Sequence, residues 1–194
     1  RGPTDLEIAV LKLPSISNFS DLDPLETEAS VRLRWVSPGD PLGQPNAVLL
    51  PGSKQTLRDL EALRSSGLDR QLLDFTGRGG SVLAICGGMQ LLGQNLHDPD
   101  HLEGGDGAGP WPGLGLLPLT TQFGGTKALR QREVQALWPE TTPVSGFELH
   151  HGSTQACADL QPLCHEPGLG WWSATQAGGC IAGTYLHGIL ENGP

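Results

Sequence analysis

In this chain of 194 residues, the run Ser81-Val82-Leu83-Ala84-Ile85-Cys86-Gly87-Gly88-Met89-Gln90-Leu91-Leu92 leaves the least conformational freedom. Five residues dominated by aliphatics read as a buried strand, and Met89 to Leu92 read as the start of a helix. The junction between them is a cysteine followed by two glycines. A residue placed where a buried strand turns abruptly into a helix sits on a strained corner, with its side chain projecting from the carboxyl edge of the sheet. Gly87 and Gly88 carry no Cβ to collide in that turn and let a substrate approach the backbone. The helix start adds unpaired amide protons and a partial positive charge, which favour thiolate over thiol at Cys86. This stretch singles out Cys86 as a nucleophile rather than a packed core cysteine.

The rest of the pattern supplies the sheet around that corner. Leu6 to Leu13 and Val31 to Val36 read as strands, and Ala47 to Leu50, closed by Pro51-Gly52, reads as a buried parallel strand ending in a sharp turn. Between Thr56 and Leu73 the apolar period changes to that of a helix, broken at Gly67. Strands alternating with helical stretches imply right-handed crossovers and a mostly parallel sheet covered on both faces. The expected architecture is therefore a doubly wound, flavodoxin-like α/β fold, one domain over residues 1–194. From His97 to Pro118 glycine and proline crowd the sequence, predicting a long irregular loop. Lys127 to Leu137, Gly146 to His150, Gly170 to Ser173 and Cys180 to Tyr185 predict further strands, some antiparallel.

Ligands of a doubly wound sheet bind at its carboxyl edge, so the ends of these strands are the places to look for partners of Cys86. Gly52, in Leu50-Pro51-Gly52-Ser53-Lys54, is placed to turn its amide toward that edge. With the Gly87 amide it would form an oxyanion hole for an acyl-transfer intermediate. His187, in Gly183-Thr184-Tyr185-Leu186-His187-Gly188, follows a strand and is the first candidate for the base that takes the thiol proton. His150, after Gly146-Phe147-Glu148-Leu149, is the second.

Charge and cysteine usage exclude other classes of function. With 12 Lys and Arg against 21 Asp and Glu, the net charge of -9 offers no basic field for nucleic acid or an anionic membrane. No apolar run reaches the length of a membrane span, and the first residues lack the succession of a signal peptide, so a cytoplasmic protein is expected. Cys86, Cys157, Cys164 and Cys180 are spaced like neither a disulfide framework nor a zinc site, and no metal is expected.

These residues resemble the class I glutamine amidotransferase family, within it the glutaminase domains of the cobyric acid synthases of cobalamin biosynthesis. The resemblance runs from Pro14-Ser15-Ile16-Ser17-Asn18-Phe19-Ser20-Asp21-Leu22-Asp23-Pro24-Leu25 through Leu50 to Thr56, Ile85 to Gln90, Gly113 to Leu117, Gly146 to His150 and Gly183 to Gly188. It implies that Cys86 attacks the side-chain amide of glutamine, that His187 shuttles protons, and that Gln90 and Gly88 help bind the substrate. Ammonia would pass to a synthetase domain that uses ATP and Mg2+ to amidate cobyrinic acid a,c-diamide to cobyric acid. No GxxxxGK[ST] run occurs here, so that half would lie outside this chain, which would be the C-terminal part of a larger synthase. Many class I members have a glutamate two residues after the histidine. Ile189 stands there, so a Cys-His pair is expected, with Glu148 or Glu191 as accessory carboxylate and His150 beside them. Two other readings stay open on sequence alone: the glutaminase subunit of a lipid II isoglutaminyl synthase-type complex, and a catalytically silent docking module.

Overall fold

The structure, a computed structural model, describes residues 6–104 and 109–192. The first five residues, part of the stretch read as lacking a signal peptide, and the centre of the glycine-rich loop, 105–108, lie outside the described residues. Along the chain run β1 (Leu6–Leu11), β2 (Ile16–Ser17), a 3-10 turn at Phe19–Leu22, α1 (Asp23–Thr27), β3 (Val31–Val36), β4 (Ala47–Leu50) and β5 (Gly52–Ser53). Then come α2 (Thr56–Ser66), α3 (Leu68–Gly77), β6 (Ser81–Ile85), α4 (Gly87–Leu92), β7 (Asn95–His97) and β8 (Trp111–Pro112). The last third holds β9 (Leu119–Ala136), β10 (Thr142–Ala156), β11 (Gln161–Pro162), β12 (Gly170–Ala174), β13 (Cys180–Thr184), β14 (Leu186–His187) and a 3-10 turn at Ile189–Glu191.

The main sheet has the order β11-β12-β13-β6-β4-β1-β3. From β13 to β3 every pairing is parallel, and β12 and β11 close one edge in antiparallel sense. Side-chain alternation sorts this sheet into two faces. Ala9, Leu11, Val48, Leu50, Val82 and Ala84 point to the side covered by α2, α3 and α4. Val10, Leu49 and Leu83 point to the other side, where Leu22, Leu25 and Leu190 cover them from the short turns and α1. Both faces are covered as expected for parallel strands, though unequally, with the longer helices on one side.

The helical stretch divides where glycine stands. Gly67 adopts φ 74° between α2 and α3, a left-handed cap that most side chains resist. Leu57, Leu60 and Leu63 before it and Leu68, Leu72 and Phe75 after it all reach the core.

A second sheet, β14-β10-β9-β7-β8, lies across the carboxyl edge of the first. Its centre is the long hairpin β9–β10, whose register shifts between His151 and Ser153. One end of the hairpin joins β7, and the other pairs with β14 through Phe147 and His187. Because β14 follows β13 by one residue, the hairpin is laid over the end of the central strands. The loop expected from His97 to Pro118 is thus interrupted by β8, which pairs with β7. No helix among the described residues is long and apolar enough to cross a membrane.

Candidate active site

Cys86 stands at the end of β6 with φ 52° and ψ -114°, one of the few non-glycine residues of the described chain with positive φ. Such a conformation costs of the order of 1–3 kcal/mol and persists only where the surroundings enforce it. Here the Cys86 amide donates to Thr184 O at 2.7 Å, and its carbonyl accepts the Gln90 amide at 3.1 Å. The corner is clamped from the β13 side and from α4. The start of α4 packs so closely on the loop after β4 that a Cβ on Gly88 would lie 2.7 Å from the Pro51 carbonyl oxygen, and one on Gly87 would lie 2.8 Å from Ser53. The first amides of α4 have no partner within the helix, as at any helix start.

His187 reaches the same corner from β14. Ile85 and Thr184 are register partners in β6 and β13, so the residues just beyond them emerge together at the sheet edge. The imidazole is fully buried, stacked on Phe147 with ring centres 5.0 Å apart and planes 18° apart. Its Nδ1 lies 2.7 Å from Asp21 Oδ2, and Asp21 Oδ1 accepts the Gly188 amide at 2.9 Å. Asn18, left-handed at φ 53°, places its side-chain amide 3.1 Å from Nδ1. Burial alone would lower the imidazole's pKa, but its hydrogen bond with Asp21 and the neighbouring Cys86 sulfur outweigh it and hold the pKa up at about 9. The thiol itself donates to Leu149 O at 3.2 Å, on the overlying hairpin.

Three expectations are corrected by this arrangement. A bare Cys-His pair was expected, with Glu148 or Glu191 as the accessory carboxylate; the imidazole instead has Asp21, 166 residues earlier in the chain. Glu148 cannot serve it, because Phe147 and Glu148 alternate along β10 and only Phe147 faces His187. Glu148 is bound by Arg132, at 2.6 and 2.8 Å, and by His150 Nε2 at 2.9 Å. Burial would raise its carboxyl pKa, but these partners hold it below the usual range. Glu191 is exposed. His150, the second candidate base, is spent on Glu148, on Gly152 O at 3.0 Å and on stacking against Tyr185. The third correction is at Gly52. Lys54 N donates to Ser15 O at 2.9 Å, so the β2–β5 register makes Ser17 and Gly52 the next hydrogen-bonded pair. The Gly52 amide therefore faces the Ser17 carbonyl rather than the sulfur.

Cys86 opens into a cavity of about 230 Å³, walled also by Gln90, Glu103, Lys54, Lys127 and His150. That volume suits a single small metabolite rather than a polymer. Gln90 is buried with both amide hydrogens committed, to His151 O at 3.1 Å and Tyr185 Oη at 3.0 Å, while its Oε1 accepts Thr56 Oγ1 at 3.1 Å. Only the second lone pair of Oε1 is left for a ligand. Gly88 is buried against the Leu50–Pro51 carbonyls, so its contribution to the cavity is through its backbone. All four cysteines are free thiols, and among the described residues no group of three or more His, Cys, Asp or Glu is placed to hold a metal ion. Sequence reasoning missed Asp21, Asn18 and Glu103. The signal for Asp21 was its place in a polar block just beyond β1, at the ligand-binding edge of the sheet.

Comparisons with known proteins place this geometry. Residues 7–194 match the CobB/CobQ-like glutamine amidotransferase domain family. The chain is 84% identical over its whole length to a cobyric acid synthase of Parasynechococcus marenigrum (strain WH8102), and 53% identical to one of Prochlorococcus marinus (strain MIT 9313). It spans 39% and 40% of the length of those two proteins. In fold it is similar to a chain of PurLQS from Thermotoga maritima (TM-score 0.67, 14% identity, covering 94% of this chain and 87% of that one). A glutamine amidotransferase from the same organism gives a TM-score of 0.61 at 10% identity, covering 94% of this chain and 75% of that one. A cysteine on a strained strand-to-helix corner, an imidazole at the neighbouring strand end and a family match over nearly every residue converge: this chain belongs to the CobB/CobQ-like glutamine amidotransferase domains.

Proposed function

We propose that the chain hydrolyses the side-chain amide of glutamine through a thioester on Cys86. The ammonia then serves an ATP- and Mg2+-dependent synthetase region of a longer polypeptide, for amidation of cobyrinic acid a,c-diamide to cobyric acid in the cytoplasm. The observation that carries the chemistry is the strained Cys86 corner beside a buried imidazole that Asp21 holds as a cation. The thiol proton passes to His187, the resulting thiolate attacks the amide carbon, and the oxyanion is received by the Gly87 amide at the start of α4. Gly52 contributes a second amide only if its bond to Ser17 opens. His187 gives its proton to the departing nitrogen as the C–N bond breaks, leaving a thioester and ammonia. Water then attacks the thioester carbon, His187 takes up its proton, and glutamate leaves with the thiol restored. ATP and Mg2+ do not fit this chain, which has no GxxxxGK[ST] loop, and no step here passes through them. The relatives' greater length, and their printed name, support a synthetase region elsewhere in the polypeptide.

The test is ammonia release from glutamine, together with covalent labelling by 6-diazo-5-oxonorleucine mapped by mass spectrometry. Label on Cys86 and glutamate as product are expected. A protein that leaves glutamine intact, or takes the label on Cys157 instead, would sink the reading.

A further inference from the structure

Three charged side chains that line the cavity, Glu103, Lys54 and Lys127, have no use in the reaction so far. Glu103 and Lys127 both line it alongside Cys86, from opposite structural units: Glu103 from the loop after β7, Lys127 from the hairpin strand β9. Glu103 is a built feature. Asp98, fully buried, accepts the amides of Leu102 and Glu103 at 2.8 Å each and so fixes the loop. The Glu103 carboxylate then accepts the Thr56 amide at the start of α2, beside the hydroxyl that Thr56 gives to Gln90. Among the described residues no cation pairs with it. Burial pushes its carboxyl up to about 7, against hydrogen bonds from Thr56 and Leu57 and with Asp98 and Asp59 adding to the rise. A carboxylate withdrawn from water without a counter-charge is costly, and a cationic guest relieves that cost. Lys127 likewise has no carboxylate partner among the described residues, and it stands across from His151 at the cavity rim.

We infer that Glu103 receives the α-ammonium and Lys127 the α-carboxylate of a free α-amino acid, so that the site selects free glutamine over amides lacking either charge. This rests on the glutaminase reading above and adds its specificity determinants. Glu103 and Lys127 touch the substrate away from the reacting carbon, and they set binding rather than the chemical step.

The experiment compares three amides in the full-length protein: glutamine, glutaramate, which lacks the ammonium, and 4-aminobutanamide, which lacks the carboxylate. Glu103→Gln should lower kcat/KM for glutamine about 10- to 100-fold, the span of a lost hydrogen bond to a charged group, mainly through KM. It should leave glutaramate unchanged. Lys127→Met should weaken glutamine and glutaramate but spare 4-aminobutanamide. Labelling by iodoacetamide, which carries no amino-acid group, serves as the folding control: its rate at Cys86 should stay the same in both variants while 6-diazo-5-oxonorleucine slows. Equal losses on glutamine and glutaramate in Glu103→Gln, or no loss on glutamine, overturn the inference. A wild-type protein that hydrolyses none of the amides and resists the diazo reagent overturns the glutaminase reading itself.

Discussion

Asp21 changes what His187 can do. A buried imidazole without a partner loses its proton easily, whereas this one keeps it to about pH 9 because a carboxylate and a sulfur face it. Its folded pKa lies above the ordinary 6.5, so the protonated pair stabilises the fold fully below about pH 6.5, and that contribution fades as pH rises through about 9. Asp21→Asn should remove this slope from the unfolding free energy measured against pH. The same substitution should cut glutamine turnover on the order of 10²- to 10⁴-fold and move the alkaline limb of the kcat profile to lower pH. An unchanged alkaline limb would mean that Asp21 only packs. Cys86→Ser should abolish turnover with the fold intact by circular dichroism. The losses in Cys86→Ser and His187→Ala should not multiply in the double variant, since both groups serve one step. The cysteine, its glycines and the histidine were legible because each sits in a local pattern that only a tight turn at a sheet edge explains. Asp21 was not, because nothing within several residues of it reveals that its partner is 166 positions away.

Strands and helices followed their local patterns closely, and the break at Gly67 fell where glycine interrupts the helical period. What local patterns lacked was pairing. Lys127 to Leu137 and Gly146 to His150 read as separate strands, while the structure joins them into one hairpin from Leu119 to Ala156 laid over the site. What lays the hairpin over the site is its pairing with β7 on one side and with β14 on the other. Two glycine substitutions separate backbone strain from collision. At Gly67 an added Cβ meets nothing within 4 Å, so Gly67→Ala should cost only the left-handed conformation, about 1–2 kcal/mol, and spare turnover. At Gly88 the same methyl runs into the Leu50 and Pro51 carbonyls, so Gly88→Ala must push α4 away from β4. A loss of about 1–3 kcal/mol in urea unfolding is expected, with a far larger loss of activity because Cys86 moves with α4.

Across the whole molecule, the two sheets are joined beneath the cavity by a buried polar chain. Tyr185, just past β13, receives Gln90 Nε2 from α4 and meets Thr154 Oγ1 of β10, which in turn lies 2.7 Å from Thr121 Oγ1 of β9. Burial drives the Tyr185 hydroxyl well above its ordinary pKa, so it stays a neutral donor and acceptor at any pH the protein meets. Tyr185→Phe leaves one Gln90 amide hydrogen without a partner and Thr154 with Thr121 alone, in a buried interior. That should cost about 1–3 kcal/mol, read as a fall of roughly 2–4 °C in Tm per kcal/mol. The machinery also spans nearly the full chain, from Asp21 through Cys86 to His187. During synthesis the thiol leaves the ribosome a hundred residues ahead of the imidazole meant to govern it. Translation order itself therefore keeps the nucleophile idle until the segment that carries His187 has followed it out.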